Sequence, residues 1–280
     1  MFDTLSESVA QAISDFGTIK QAIIDKGVEV PEGTPTSQYA TKIGEIQSGG
    51  SSSDDLKGMI ERTATEITIP SDCTKIGDNA FYGCENLTSV DIPESVTSIG
   101  NYAFRDCSSL ALASLPSSLT SIGNNAFAYC TSLALASLPS GVTSIGQGSF
   151  AACKNLALTS LPESVTSIGN NAFIDCTSLA LASLPSGITN IGNYIFSGCK
   201  NITITSIPSG VTSIGSGAFE KCTILTEITF EGKPNSISSS AFYGCTNLTT
   251  IRVPWAEGEV SGAPWGATNA SLIYSYTPAE

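Results

Sequence analysis

The sequence contains no histidine, and its 280 residues carry only 12 lysines and arginines against 25 aspartates and glutamates. Without histidine, the chain lacks the side chain most often used for proton transfer and for binding transition metals. The scarcity of basic residues argues against a broad basic surface, so we expect no binding to nucleic acid or to anionic membranes. No apolar run approaches the roughly 18 residues of a membrane-spanning helix, and we expect no membrane insertion.

Catalytic motifs are also missing from the sequence. There is no Gly-x-Ser-x-Gly, no glycine-rich phosphate loop, no His-Glu-x-x-His and no calcium-loop spacing. The opening stretch MFDTLSESVAQAISDFG has no basic region followed by an apolar one, so we expect no secretory signal. We therefore expect a protein that is not an enzyme, needs no cofactor and holds no metal.

What the sequence does contain is a tandem repeat. Eight 23-residue units fill residues 70–253 without an insertion, each with a phenylalanine followed three positions later by a cysteine. A period of this length is typical of a solenoid whose coils each contain a short strand. One coil cannot bury its apolar side chains alone, but stacked coils bury them as ladders. The phenylalanines are Phe81, Phe104, Phe127, Phe150, Phe173, Phe196, Phe219 and Phe242.

The repeated unit resembles the BspA-like (Treponema-type) leucine-rich repeats, which have the approximate pattern IPxxVTSIGxxAFxxCxxLTS. The stretch IGNNAFIDC at 168–176 shows the match. The resemblance implies an α/β leucine-rich-repeat solenoid of eight 23-residue coils, right-handed and curved. It implies short β-strands near Thr88–Ile92 and Thr97–Ile99 and at the corresponding positions of each coil. It also implies attachment or protein binding, roles with which bacterial, protist and phage members of the family are associated.

The eight cysteines of the repeats have two possible roles. They are either linked between coils as disulfides or buried as free thiols. Stacked side chains project in parallel at about 4.8 Å, whereas the Cβ atoms of a disulfide prefer roughly 3.5–4.5 Å. The spacing favours buried free thiols. Cys73 lies outside the series and is either an exposed thiol or part of a first half-coil.

The coils are of two kinds. The first and the last two have the apolar pattern LxxLxL, whereas the middle five have LxLxxL. If all strands share one register, the second apolar residue of each middle coil lies on an exposed candidate binding strip. Alternatively, a local bulge turns these residues inward and displaces Ala113 and its equivalents, which five consecutive copies favour. The residues concerned are Leu112, Leu135, Leu158, Leu181 and Ile204.

The two positions between each phenylalanine and cysteine vary most from coil to coil. Such variation among otherwise fixed positions indicates exposure to solvent. Its cause is either sequence drift or the recognition of a ligand. The candidate variable surface comprises Tyr82, Arg105, Tyr129, Ile174, Glu220 and Tyr243.

Residues 1–47 contain no repeat and are predicted to form short helices. Leu5, Val9, Ile13 and Phe16 have helical spacing and form a candidate assembly helix, through which the chain is a possible homo-oligomer. The segment 22–46 resembles a module near the start of tail-associated proteins of phages and prophages of gut bacteria. This resemblance implies an attachment or assembly segment. A Gly/Ser linker at 48–55 would connect it to the solenoid.

The segment 254–280 breaks the period and is rich in glycine, proline and aromatic residues. A solenoid needs caps because its last coil exposes an apolar end. We expect Trp255, Trp265, Ile273 and Tyr274 to cover this end, with an aromatic ligand platform as the alternative. The predicted organisation is thus a helical segment (1–47), a linker (48–55), a solenoid (56–253) and a cap (254–280).

Two functions fit these features best, and an intracellular scaffold is a third. The first is a phage or prophage tail-associated protein, located in the virion, whose N-terminal helices mediate assembly and whose solenoid contacts a host surface or other virion subunits. The alternative is a bacterial adhesin or protein-interaction module at the cell surface. In either case the expected partner is a protein or glycan on a bacterial surface, or a neighbouring subunit.

Overall fold

The computed structural model of the chain describes residues 64–277. Within this range the chain forms a β-solenoid of about nine turns, built from fourteen short strands. Its strands pair in parallel in two ladders that run along the solenoid axis, and each ladder is divided into two sheets. The predicted N-terminal helices, including Leu5, Val9, Ile13 and Phe16, and the predicted linker lie outside the described residues.

The first ladder takes one strand from every repeat. Each strand pairs with its counterpart in the next repeat, as in Ile76 opposite Ile99, except between Ile168 and Ile191, where the ladder is interrupted. Where strands pair, partners are 23 residues apart, so the repeat length sets the register of the sheet. The isoleucine of each strand is buried while the preceding residue faces outward. The strands are β2 (Lys75–Ile76), β4 (Ser98–Ile99), β5 (Ser121–Ile122), β6 (Ser144–Ile145), β7 (Ser167–Ile168), β8 (Asn190–Ile191), β10 (Ser213–Ile214) and β12 (Ser236–Ile237).

The second ladder is present only at the two ends of the solenoid. Its strands are β1 (Glu66–Thr68), β3 (Ser89–Asp91), β9 (Ser206–Ile207), β11 (Glu227–Phe230), β13 (Thr250–Arg252) and β14 (Ser271–Ile273). Between β3 and β9 the coils are joined here by isolated hydrogen bonds, for example from Ala134 N to Leu112 O at 3.3 Å. The implied strand near Thr88–Ile92 is therefore not formed in every coil.

The two apolar patterns explain this interruption. In the first repeat, Thr88 and Ser89 both face outward before Val90 turns inward, whereas in the next coil Leu112 is buried and Ala113 and Ser114 face outward. The place where the alternation breaks has moved by two residues, while Ile92 and Leu115 keep equivalent positions. Such a break disrupts the pairing of adjacent strands at this point.

The prediction of an exposed binding strip is therefore wrong. The side chains proposed for it lie in the core, with exposures between 0% and 8%, because the local bulge directs them inward. Burial in the stacked core leaves them no surface to offer a ligand. The buried residues are Leu112, Leu135, Leu158, Leu181 and Ile204.

The phenylalanines form one continuous stack through the centre of the solenoid. Consecutive rings lie between 4.8 Å (Phe81 and Phe104) and 5.8 Å (Phe173 and Phe196) apart, and the first pair is within 8° of parallel. All eight rings are essentially inaccessible to solvent. These distances fall in the range of favourable aromatic stacking, so each coil packs the same ring against its neighbour.

The segment that carries each phenylalanine contains no helix, which corrects the expected α/β class for the described residues. In seven of the eight repeats two residues adopt left-handed backbone conformations, such as Asn125 (φ 53°) and Tyr129 (φ 63°). Left-handed residues four positions apart prevent a right-handed helix from forming. Instead, backbone N–H groups donate to the next coil, as Phe127 N does to Ser149 O at 2.7 Å.

The cysteines are all free and buried, as predicted. Seven of them donate an S–H hydrogen bond to the phenylalanine carbonyl of the preceding coil, as Cys153 Sγ does to Phe127 O at 3.0 Å. The distances range from 2.9 to 3.2 Å. Burial raises the pKa of Cys245 to about 12 and that of Cys153 further. Cysteine thus serves here as a small apolar residue with a weak donor.

Cys73 belongs to the first coil and is not an exposed thiol. Its side chain is 2% exposed, and it occupies the position that Val96 and Val142 hold in later coils. Burial, assisted by the negative charge of Asp72, raises the pKa of Cys73 to about 11.

The last coil is covered by aromatic residues. Trp255 and Trp265 are buried, and their rings lie 5.3 and 5.9 Å from that of Phe230. Tyr274 is partly buried against the core, but Ile273 is 43% exposed and covers nothing. The strand β14 continues the second ladder beyond the last repeat.

Glycines after the first ladder allow the closest approach between coils. A Cβ on Gly146 would lie 2.5 Å from the carbonyl carbon of Gly123, closer than side chains tolerate. We predict that Gly146→Ala lowers the free energy of unfolding by about 1–3 kcal/mol, through overpacking. Urea unfolding followed by circular dichroism measures this.

Gly187→Ala is the matched control for this change. Its Cβ would meet the Thr166 methyl at 3.4 Å, an ordinary contact, and Ser164 already occupies the equivalent position of the preceding coil. We expect the free energy of unfolding to change by no more than about 0.5 kcal/mol. Equal effects of the two substitutions would contradict the close-approach explanation.

The thiols make stability depend on pH above the ordinary thiol pKa of 9.0. Between about pH 9 and 11 the unfolded chain releases the Cys73 proton while the folded chain keeps it, so the free energy of unfolding falls as pH rises. We predict that Cys73→Val makes this fall shallower, by up to about 1.4 kcal/mol per pH unit. Urea titrations of both proteins at pH 8, 9 and 10 under reducing conditions test it.

At pH 7 the free energy of unfolding of the same variant should lie within about 1.5 kcal/mol of the wild-type value, because valine fills this position in other coils. An unchanged slope between pH 8 and 10 would show that the Cys73 thiol ionises equally in both states.

Candidate recognition surfaces

Exposed aromatic side chains gather along one edge of the solenoid. Every tyrosine of the repeats lies within two residues of a core phenylalanine, so all of them project from the same turn of their coils. Their exposures range from 37% to 59%. We call this surface the tyrosine edge, and its tyrosines are Tyr82, Tyr102, Tyr129, Tyr194 and Tyr243.

The backbone explains why these side chains face outward. In every repeat the phenylalanine and the residue before it are buried, and each tyrosine lies one or two positions outside this pair, where it faces solvent. Tyr102, Tyr129 and Tyr194 have φ values of 57°, 63° and 54°. A left-handed conformation is costly for a tyrosine and persists here because the surrounding stack fixes it. The edge is therefore a rigid surface.

Arg105 is held between two of the tyrosines. The centre of its guanidinium lies 5.8 Å from the ring centroid of Tyr102 and 5.3 Å from that of Tyr129. Its Nε also donates a hydrogen bond to Asp106 at 3.3 Å. At such distances the cation is attracted to the ring faces, so neighbouring coils contribute to one cluster of aromatic and charged groups.

The far end of the edge combines an ion pair with two further tyrosines. Lys221 Nζ lies 2.8 Å from Glu220, and this hydrogen bond raises the pKa of Lys221. The ring of Tyr194 packs over Gly217, where a Cβ would come within 2.5 Å of the ring. Tyr243, at 59% exposure, is the most accessible aromatic residue of the edge. Both charge signs are thus available beside aromatic faces.

All six residues of the predicted variable surface lie on this edge. Tyr82, Tyr129 and Tyr243 are exposed, whereas Arg105, Ile174 and Glu220 are half-buried. The structure brings Arg105 and Tyr129 into contact. Whether any of the six binds a ligand stays a prediction.

Sequence reasoning missed Tyr102 and Tyr194, which precede their phenylalanine by two residues. They could have been found from the sequence, because every tyrosine of the repeats lies within two residues of a repeat phenylalanine.

A second surface is a groove of about 670 Å³ that crosses five coils along the first ladder. The three middle coils contribute the same short stretch, in which the outward residue of the strand and the isoleucine are followed by glycine and an amide residue. The outer two coils contribute only part of it, Ile99 to Asn101 and Asn190. The polar side chains include Ser121, Ser144, Ser167, Asn124 and Gln147, and none of the lining residues is charged.

Neither surface has the residues of a metal site. Within residues 64–277 there is no group of three or more cysteine, aspartate or glutamate side chains arranged to hold a metal ion. The same range contains no helix long and apolar enough to cross a membrane. The two surfaces offer hydrogen bonds, aromatic faces and charges, which are the means of binding a partner.

Comparisons with known proteins agree with the repeat architecture. The family model for the BspA type leucine rich repeat region matches residues 61–180 and 149–258. Among curated proteins, none matches the chain.

Several solved leucine-rich repeat proteins are similar to this chain. One from Bacteroides ovatus has 27% sequence identity and a TM-score of 0.55, with coverage of 76% of this chain and 61% of that one. One from T. pallidum is 31% identical over 66% of this chain and 78% of its own, with a TM-score of 0.49. One from Eubacterium ventriosum is 30% identical, covering 56% and 43%, with a TM-score of 0.46.

The match spans 61% of the Bacteroides ovatus protein, so that protein extends beyond the shared region. The family model, by contrast, covers most of the repeats described above. The resemblance seen in the sequence is thereby confirmed, and the chain belongs to the BspA-type leucine-rich repeat family.

Proposed function

We propose that this chain is a non-enzymatic recognition protein of a bacterial surface and that it binds a protein partner through the tyrosine edge. The observation that carries the proposal is the confinement of the repeat tyrosines to one exposed edge, with Arg105 between Tyr102 and Tyr129. Membership of a family of leucine-rich repeat proteins supports an interaction role.

The chemistry of the edge favours a protein as the partner. Tyrosine and arginine are enriched at the residues that contribute most to protein–protein binding. Tyrosine also supplies a large contact area with few rotatable bonds, so it loses little entropy when bound. Because the rings and Arg105 are already ordered by the stack, less free energy is lost in fixing them on binding.

Assembly into a phage or prophage tail stays a prediction. It rests on the resemblance of segment 22–46, which lies outside the described residues, and the family match concerns the repeats alone. The tyrosine edge would serve recognition equally in a virion or at a cell surface. A cell-surface location is the setting that the family supports better.

Removing the cluster around Arg105 tests the proposal. We predict that Arg105→Ala combined with Tyr129→Ala weakens binding about tenfold or more, since both side chains have the character of interface hot spots. The full chain, fused to a fluorescent protein, is titrated onto panels of bacterial and epithelial cells and measured by flow cytometry. Pretreating the cells with protease should abolish binding if the partner is a protein.

Ile273→Ala provides the matched control, because Ile273 is exposed to a similar degree as Tyr129 but lies in strand β14 of the C-terminal segment. This variant should bind like the wild type. Undiminished binding by the double variant, or binding that survives protease treatment, would overturn the proposed role of the edge.

A further inference from the structure

The groove along the first ladder carries a row of hydroxyl groups that have no hydrogen-bond partner among residues 64–277. Within residues 64–277, no hydrogen bond involves the side-chain oxygen of Ser121, Ser144 or Ser167. The neighbouring threonine row behaves differently, since Thr120 Oγ1 donates to Thr97 O at 3.0 Å and Thr143 Oγ1 to Thr120 O at 3.4 Å. The serine row therefore retains hydrogen-bonding capacity that the threonine row directs to the backbone.

A second row, of amides, lies along the same groove. The side-chain oxygen of Asn124 accepts from Gln147 N at 2.7 Å, and that of Asn170 accepts from Asn193 N at 2.8 Å. Their NH₂ groups donate no hydrogen bond to any residue in the range 64–277, and neither end of the Gln147 side chain is hydrogen-bonded there. The backbone thus orients the asparagines and leaves their donors facing outward.

The spacing of both rows is set by the sheet. Ser121, Ser144 and Ser167 occupy consecutive positions of one parallel ladder, so their backbones are separated by the inter-strand distance of about 4.8 Å. In an extended β-1,4-linked glycan each sugar advances by roughly the same distance. Successive sugars are turned over, so each edge of the chain presents hydroxyl groups at every step, of alternating kinds. A linear glycan laid along the solenoid axis would therefore meet a hydroxyl and an amide at each coil.

The charge of the chain selects against anionic ligands, and the lining has no carboxylate to pair with a cation. None of the residues lining the groove is charged, and the whole chain has a net charge of −13, which repels polyanions. An extended peptide is disfavoured for another reason. The central strands are already paired on both sides, so a peptide cannot add to the sheet by backbone hydrogen bonds.

From these observations we infer that the groove between Ile99 and Asn190 binds a neutral linear glycan, with Ser144 and Gln147 at its centre. This goes beyond the proposed function, since it concerns a different surface and a different class of ligand from the tyrosine edge.

Isothermal titration calorimetry of the full chain with cellohexaose and with β-1,4-mannohexaose tests the inference. We expect at least one of them to bind with one glycan per chain. The triple variant Ser121→Ala, Ser144→Ala and Gln147→Met should weaken this binding about tenfold or more, because it removes three groups that hydrogen-bond the ligand. These three side chains make no internal hydrogen bonds within residues 64–277, so the variant should unfold at the same urea concentration as the wild type.

Thr143→Val is the matched control, since it removes a hydroxyl next to Ser144 that is bonded to the backbone. Its glycan affinity should stay within about twofold of the wild type. The inference is overturned if neither hexaose binds at millimolar concentration, or if the triple variant binds equally well. It is also overturned if hexagalacturonate, or a Gly-Ser hexapeptide, binds as tightly as the neutral glycans.

The Arg105 and Tyr129 double variant separates this result from the proposed function. It should retain the hexaose affinity of the wild type, because neither residue lines the groove. Failure of the glycan titration would leave cell binding through the tyrosine edge untouched, and the reverse also holds.

Discussion

The structure depends on one geometric constraint: each residue of a coil must stack on its counterpart in the next coil. The parallel register and the phenylalanine stack enforce this from both sides of the coil. A single insertion would shift every later ladder, which explains why the repeats contain none. The same constraint accounts for glycine at positions such as 123 and 146, where backbones of successive coils approach too closely for a Cβ.

Because the core must repeat, information that distinguishes one coil from another is confined to outward positions. The two surfaces use this freedom in opposite ways. Along the tyrosine edge the side chains are irregular, with Arg105 beside Tyr129 at one end and Glu220 beside Lys221 at the other. Along the groove they repeat at coil spacing. An irregular surface suits a folded protein, whereas a periodic one suits a polymer of identical units.

The sequence predicted the features that recur with the 23-residue period. It did not predict features that depend on the local backbone conformation within one coil. The repeats, the core phenylalanines and the buried thiols follow from spacing alone. The burial of Leu112 agrees with the bulge that five consecutive copies favour, but spacing alone left it open, because it depends on which residue pair interrupts the alternation. Nor does spacing reveal that Asn125 and Tyr129 adopt left-handed conformations that preclude a helix. The groove was not foreseen, since spacing does not show that the Thr143 hydroxyl is bonded to a backbone carbonyl.

The thiol ladder makes a surface location compatible with a cysteine-rich core. Surfaces of cells are oxidising, and exposed thiols there form disulfides or higher oxidation products. Oxidation requires a thiol that is accessible and ionised. Burial raises the pKa of these thiols, and hydrogen bonds such as that from Cys153 Sγ to Phe127 O hold them in the core. Replacing an S–H donor by a disulfide would pull neighbouring coils out of their common spacing. The stack that orders the recognition surfaces therefore also keeps its cysteines reduced.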